Sequence, residues 1–393
     1  MLAHDLTVTR PDYAGGSIAN LMASLGGALG AAPTPCAPLT ALPVSRVREA
    51  ARVALVVVDG LGADLLAALG PRGALAAHRA ARITSVFPPT TASAVTTFMS
   101  GLAPQQHGLT GWFMHFRRLG AVTAVLPFVP RYAAAPLTAQ GIEPAALIDV
   151  PSFAARIAAP AAALLPADLA ESPFSRLLAA GARRDGYRDL ADFSARLAHF
   201  VAGTDDARFL YAYWPELDRR AHLEGPSSES VATHFAELDA VLGDIVAHAA
   251  GSGTLVIVTA DHGFIDSGPD QRIELADHPA LADMLALPLC GEPRAAYAYV
   301  RAHAGGEFED YVASELGEVV ELHRSADLLA DGWYGPGPAH PELSARIGDY
   351  VLCARGRHSL RDHVVGERGF DLRGHHGGLS AAEQYVPLVL AGP

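Results

Sequence analysis

RVALVVVDG, residues 52–60, is the stretch that decides the fold. Four of its first seven residues are valine and no polar residue alternates with them. A strand of that kind is buried on both faces, as in a parallel sheet covered by helices above and below. The run stops at Asp59-Gly60, and ADLLAALG at 63–70 reads as the helix that follows. Three further runs have the same character: RFLYAY at 208–213, TLVIVT at 254–259 and YVPLVL at 385–390. Helix-length segments separate them, which predicts an α/β sandwich with a mostly parallel sheet and ligands beyond the carboxyl ends of the strands. Asp59 follows one strand, Asp261-His262-Gly263 follows another, and a polar segment follows a third, so chemistry collects at one rim.

Region 287–357 departs from this alternation. AAYAYVR, EFEDYVASEL, VVELHR and IGDYVLCAR predict a small α+β cap, with 1–286 and 358–393 forming the core. The 393 residues, 50% hydrophobic and 18% charged, are enough for a sizeable buried interior.

The 29 basic residues are all arginine against 42 acidic ones, a net charge of -13. Without lysine there is no P-loop lysine, no Schiff base and no lysine base or nucleophile. The acidic balance excludes a long nucleic acid or an anionic membrane surface as partner, because both need a basic face. A small anion stays open if metals supply the positive charge. Cys36, Cys290 and Cys353 lie far apart without CxxC spacing, which predicts a reducing, cytoplasmic setting. Two stretches free of charge, 13–45 and 83–116, are broken by prolines or crowded with Thr, Ser, Gln and His, so neither reads as a membrane span. His4 and Asp5 interrupt any basic n-region, which predicts no cleaved signal.

Asp218 and His222 stand at i and i+4 in PELDRRAHLEGP, on one face of a helical turn and within reach of one ion. With Asp59, Asp261, His262 and the pair His375-His376, they make a carboxylate and imidazole set without thiolate, which suits Zn²⁺ or Mn²⁺ better than Ca²⁺. A hydroxyl nucleophile is offered by SVFPPTTASAVTTFMSGLAPQQHG, residues 85–108. Pro88-Pro89 cannot lie inside a helix, whereas TASAVTTFMSG can run as one ending at Gly101. Thr90 and Thr91 therefore sit at its N-terminal end, where free N–H groups and the helix dipole favour an anion. Either threonine also serves as a simple N-cap. In a chain without lysine, the agent that would lower a threonine pKa is a metal.

These segments resemble the type I phosphodiesterase/nucleotide pyrophosphatase family of the alkaline phosphatase superfamily. VVVDG, FPPTTASAVTTFMSGLAPQQHG, PELDRRAHLEGP, TADHGF and GHHGG stand in the family's order over most of the chain. The resemblance implies an alkaline phosphatase-like three-layer α/β/α sandwich. It also implies two divalent ions, Zn²⁺ or Mn²⁺, about 4 Å apart as in two-metal phosphate enzymes. One would be held by Asp59, Asp261, His262 and the Thr91 oxygen, the other by Asp218, His222 and His376. Family spacing selects Thr91 over Thr90 and His376 over His375, and it makes His107 a structural turn residue. Three aspartates and a threonine alkoxide, about −4, would balance two divalent ions. The implied reaction is a double displacement through phosphothreonine.

The FPPTTA reading also matches a bacterial branch that includes cyclic-di-AMP phosphodiesterases. No cation stands on the Thr91 helix, the nearest arginines in sequence being Arg82 and Arg117. A small anionic phosphodiester, a nucleotide or cyclic dinucleotide, is therefore the expected substrate, with the Ala92 N–H on phosphate and Trp112, Phe113 and Tyr213 as stacking faces for a base. A phosphomonoesterase or phosphonate hydrolase on the same site is the competing reading. A metal-stabilised binding module without catalysis is the competing reading of another class.

Overall fold

The structure, a computed structural model, describes residues 4–132, 135–365, 367 and 371–393. Residues 1–3, 133–134, 366 and 368–370, all assigned to the core above, lie outside the described residues.

The main sheet has seven strands: β1 (Arg52–Val58), β2 (Arg79–Thr84), β3 (Ala161–Pro166), β4 (Ala182–Tyr187), β5 (Phe209–Trp214), β6 (Thr254–Thr259) and β7 (Tyr385–Ala391). Their spatial order is β2-β7-β6-β1-β5-β3-β4. β1 pairs in parallel with β5 and β6, and β3 in parallel with β5 and β4. Only β7 runs against its neighbours. The chain thus enters β7 from the rim where the other strands end, and the segment before β7 reaches that rim.

Every residue of β5 and β6, and every residue of β1 after Arg52, is buried. Successive side chains point to opposite faces of a strand, so this burial requires cover on both. At the rim, helix α1 (Thr91–Ser100) follows β2, and helix α2 (Glu216–Glu224) follows β5 directly. Only Thr91 of α1 is partly exposed, and the helix stops at Gly101, whose φ of 70° is the left-handed cap that glycine supplies without strain.

A second, wholly antiparallel sheet has the order Val320–Arg324, Tyr350–Ala354, Ala295–Ala298, Cys290–Glu292, Phe113–Phe116, Ala121–Ala124, Val129–Pro130. Region 287–357 supplies four of these strands, and the segment just after α1 supplies three. A buried cluster beneath this sheet joins Phe87, Tyr297, Trp333, Tyr334 and Leu379. The Phe87 ring meets Trp333 and Tyr334 edge-on, both at 5.3 Å between centroids. The turn that leads into α1 is therefore fastened to the second sheet, while Phe98 and Met99 further along α1 belong to the main core. Among the described residues no helix is long and apolar enough to cross a membrane.

Candidate active site

Three buried strands deliver the acidic groups. Asp59 stands one residue beyond β1 and Asp261 two beyond β6, while Asp218 lies in the first turn of α2. Gly60 makes the first turn possible. Its φ is 72°, and a Cβ there would fall 2.5 Å from the Phe264 ring. Its N–H donates to Asp261 Oδ1 at 3.0 Å, as does the His262 N–H at 3.0 Å. Oδ2 of Asp261, Oδ1 of Asp59 and Oδ1 of Asp218 have no hydrogen-bond partner among the described residues. Three buried carboxylate oxygens without a donor are costly unless a cation meets them.

The imidazoles face the same space. His262 Nε2 lies 3.3 Å from Asp59 Oδ1, 3.4 Å from Asp261 Oδ2 and 3.9 Å from Asp218 Oδ1. His222 Nε2 lies 3.5 Å from Asp218 Oδ1 and 3.1 Å from His376 Nε2. The other ring nitrogens meet backbone carbonyls: His222 Nδ1 at Gly374 (2.9 Å), His262 Nδ1 at Gly263 (3.1 Å) and His376 Nδ1 at Pro89 (3.3 Å). Because a carbonyl only accepts, each Nδ1 carries a proton, and in the neutral ring each Nε2 then keeps a bare lone pair. That is how a metal-binding imidazole is held. Two bare Nε2 atoms 3.1 Å apart repel each other unless a cation lies against both.

The donors divide into two groups, Asp59 with Asp261 and His262, and Asp218 with His222 and His376, and in each the ligand atoms lie within 4.8 Å of one another. The His262 and His376 rings stack at 3.7 Å, so the groups adjoin. Burial, reinforced by the charges of Asp218 and Asp261, holds the Asp59 carboxyl well above the usual range. Burial raises Asp218 in the same direction, and burial with the neighbouring imidazoles drives His376 down. The orphaned oxygens, bare nitrogens and shifted acids all fit divalent ions.

Thr91 Oγ1 lies 3.2 Å from His262 Nε2, beside the first group. Thr90 is the N-cap of α1 but makes no side-chain cap bond, and its hydroxyl instead donates to Glu292 Oε1 at 2.6 Å. Ala92 is buried in the first turn, whose opening N–H groups have no acceptor within the helix. His375 pairs by its backbone with Ile265, and its Nε2 has no partner among the described residues.

The aromatic expectations separate. Trp112 is 38% exposed. Phe113 has the Arg131 guanidinium 4.2 Å over its ring. Tyr213, expected as a stacking residue, is corrected: its ring is buried and its hydroxyl donates to Asp59 Oδ2. It serves the carboxylate instead of a base.

Sequence reasoning missed Glu292, Arg294 and Glu383. Glu292 is 6% exposed, and burial pushes its carboxyl up to about 7. Arg294 binds both Glu383 oxygens, from Nε at 2.7 Å and Nη2 at 3.0 Å. Two charges interrupting the apolar run around AAYAYV were the available signal, since charged residues enter buried strands only with partners.

Fold and donor set together fit the metal-dependent enzymes of the alkaline phosphatase superfamily. Within it, the chain belongs to the type I phosphodiesterase/nucleotide pyrophosphatase family, whose model matches residues 53–378. Murine ectonucleotide pyrophosphatase/phosphodiesterase 5 is a structural neighbour at 17% identity and a TM-score of 0.64, covering 87% of this chain and 88% of its own. Its inactive variant in complex with AMP aligns at 17% identity and 0.62, with 87% and 88% coverage. Phosphonoacetate hydrolase from Sinorhizobium meliloti in complex with phosphonoformate aligns at 18% identity and 0.58, covering 86% of this chain and 89% of its own. No curated protein sequence matches the chain.

Proposed function

We propose that the protein is a phosphodiesterase that hydrolyses nucleotide phosphodiester or pyrophosphate bonds through a phosphothreonine formed on Thr91. The observation that carries the reading is the Thr91 hydroxyl, partly exposed at the N-terminus of α1 and 3.2 Å from His262 Nε2. Two divalent ions, Zn²⁺ or Mn²⁺, held by Asp59, Asp261, His262 and Thr91 and by Asp218, His222 and His376, would lower the hydroxyl pKa and neutralise phosphoryl charge.

The chain's own groups do the rest. Free N–H groups in the first turn of α1, Ala92 included, hydrogen-bond the non-bridging phosphoryl oxygens. Thr91 Oγ attacks phosphorus, the ester P–O bond breaks, and the alcohol leaves with the threonine proton. Water then attacks the phosphothreonine, the bond to Thr91 breaks, and the monoester product departs with Thr91 reprotonated.

A diester is favoured over a monoester by charge. The carboxyl of Glu292 stands beside the turn that carries the nucleophile, and the nearby guanidinium of Arg294 is committed to Glu383 and the His358 carbonyl. A dianionic monoester would need a cation there, whereas a monoanionic diester does not. The exposed Trp112 suits a nucleobase, so a nucleotide diester, cyclic dinucleotides such as cyclic-di-AMP included, is the substrate we assign, with a nucleoside monophosphate as product. Three buried free cysteines fit a cytoplasmic enzyme.

The test compares bis-p-nitrophenyl phosphate with p-nitrophenyl phosphate in Mn²⁺ or Zn²⁺, wild type beside Thr91→Ala. We expect the wild type to prefer the diester and the variant to lose turnover. Equal diester cleavage by both proteins would remove Thr91 from the reaction. Preference for the monoester would move the substrate to that class.

A further inference from the structure

The second sheet reaches into the site at Cys290–Glu292, whose partner on one side is the strand Phe113–Phe116. Oε1 of Glu292 accepts two hydrogen bonds, from the Thr90 hydroxyl at 2.6 Å and from the Trp112 N–H at 2.7 Å. Thr90 immediately precedes the hydroxyl assigned as nucleophile. The same side chain lies under Gly377, the residue after His376. Gly377 has φ 99°, and a Cβ there would come within 2.9 Å of Glu292 Cβ. Two residues further on, Arg294 grips Glu383, whose Oε1 accepts the Gly378 N–H at 2.7 Å. One short segment of the second sheet thus touches the turn before Thr91 and the loop that carries His376.

Thr90 and Glu292 lie 202 positions apart, and their bond is fully buried. Losing its acceptor would leave the Thr90 hydroxyl and the Trp112 N–H unsatisfied, and both would seek other partners. Thr91 would move with Thr90, and so would Pro89 before it, whose carbonyl accepts from His376 Nδ1 at 3.3 Å.

We infer that Glu292 is a positioning residue, which sets Thr91 against His376 by accepting from Thr90 and Trp112 while its stem underlies Gly377. The role needs an acceptor oxygen and a side chain of that length. It does not need a negative charge. It rests on the assignment of Thr91 and His376 made above.

The experiment compares Glu292→Gln, Glu292→Met and Thr90→Val with wild type in two assays, diester turnover and Zn²⁺ affinity by competition with a chromophoric chelator. In Glu292→Met, kcat and Zn²⁺ affinity should each fall roughly 10- to 100-fold, the range seen when groups supporting metal ligands are removed. KM should change little, because Glu292 makes no substrate contact in this role. Glu292→Gln keeps the acceptor and should restore both readouts. Thr90→Val removes the donor from the other end and should lower kcat even if Glu292→Met fails to fold. The inference is overturned if Glu292→Gln falls as far as Glu292→Met, or if Glu292→Met and Thr90→Val keep wild-type kcat and Zn²⁺ affinity. A wild type without diesterase turnover would sink the functional reading, and the Zn²⁺ comparison would still decide for or against Glu292.

Discussion

The hydroxyl of Tyr213 donates to Asp59 Oδ2, and the other oxygen of that carboxylate faces His262 Nε2 at 3.3 Å with no hydrogen bond of its own. One oxygen is oriented by the protein and the other is left for a cation, the usual division of labour around a metal-bound carboxylate. The neighbouring strand makes this possible, because Val57 in β1 pairs with Tyr213 in β5.

Tyr213→Phe should keep the fold, since the ring packs unchanged, and leave Oδ2 buried without a donor. Zn²⁺ affinity or kcat is expected to fall roughly 10- to 100-fold. A competition titration with a chromophoric chelator measures it, and an affinity equal to wild type would remove Tyr213 from the site.

Removing divalent ions should lower the melting temperature. The carboxylates of Asp59 and Asp261, buried, and of Asp218, half-buried, then crowd one another, and Asp59 and Asp218 are already held above their ordinary pKa. An acid raised in the folded state contributes stability below its unfolded pKa of 3.8 and loses it as pH rises through the folded value. Metal affinity also strengthens with pH, because imidazole ligands must be neutral. The drop on adding chelator should therefore be larger at pH 8 than at pH 6. Ions present at about 1,000 times their Kd stabilise by roughly 4 kcal/mol, so the shift should be several degrees by scanning calorimetry. A melting temperature indifferent to chelator at both pH values would count against ions coupled to folding.

Much of the fold was readable from residues because β1, β5 and β6 are buried on both faces and so contain little else than apolar residues. β2, β3 and β4 were not read. β2 and β4 are the two edges of the sheet, and their sequences RAARIT and ARRDGY place arginines where a central strand has valine, while AAALLP in β3 is an alanine-rich run without β-branched residues. Nor does composition encode direction, so the reversal of β7 emerged only from its pairing with Val256–Val258. The metal-ligand types were legible because each follows a strand or shares a helical turn. Tyr213 on Asp59 and Glu292 on Thr90 were not, being contacts between residues 154 and 202 positions apart that no local pattern records.

Acid stability should depend on His107, which lies outside the metal-ligand groups. The ring is fully buried beside α1. Its Nδ1 accepts the Leu109 N–H at 3.1 Å, so Nε2 carries the proton and meets Thr97 Oγ1 at 3.1 Å. A second proton would have to enter at Nδ1 against an N–H already pointing there. Burial, with the charges of His340 and Arg346 behind it, drives the ring from 6.5 down to about 3. A histidine depressed in the folded state contributes stability above its unfolded pKa and loses it as pH falls, here from 6.5 towards about 3. The full loss over that window is on the order of a few kcal/mol. His107→Gln should be less stable than wild type at pH 7.5, where the imidazole network is intact, and should lose less on acidification to pH 5. Denaturant unfolding at both pH values tests this, and parallel losses in the two proteins would show that His107 takes up its proton without breaking the fold.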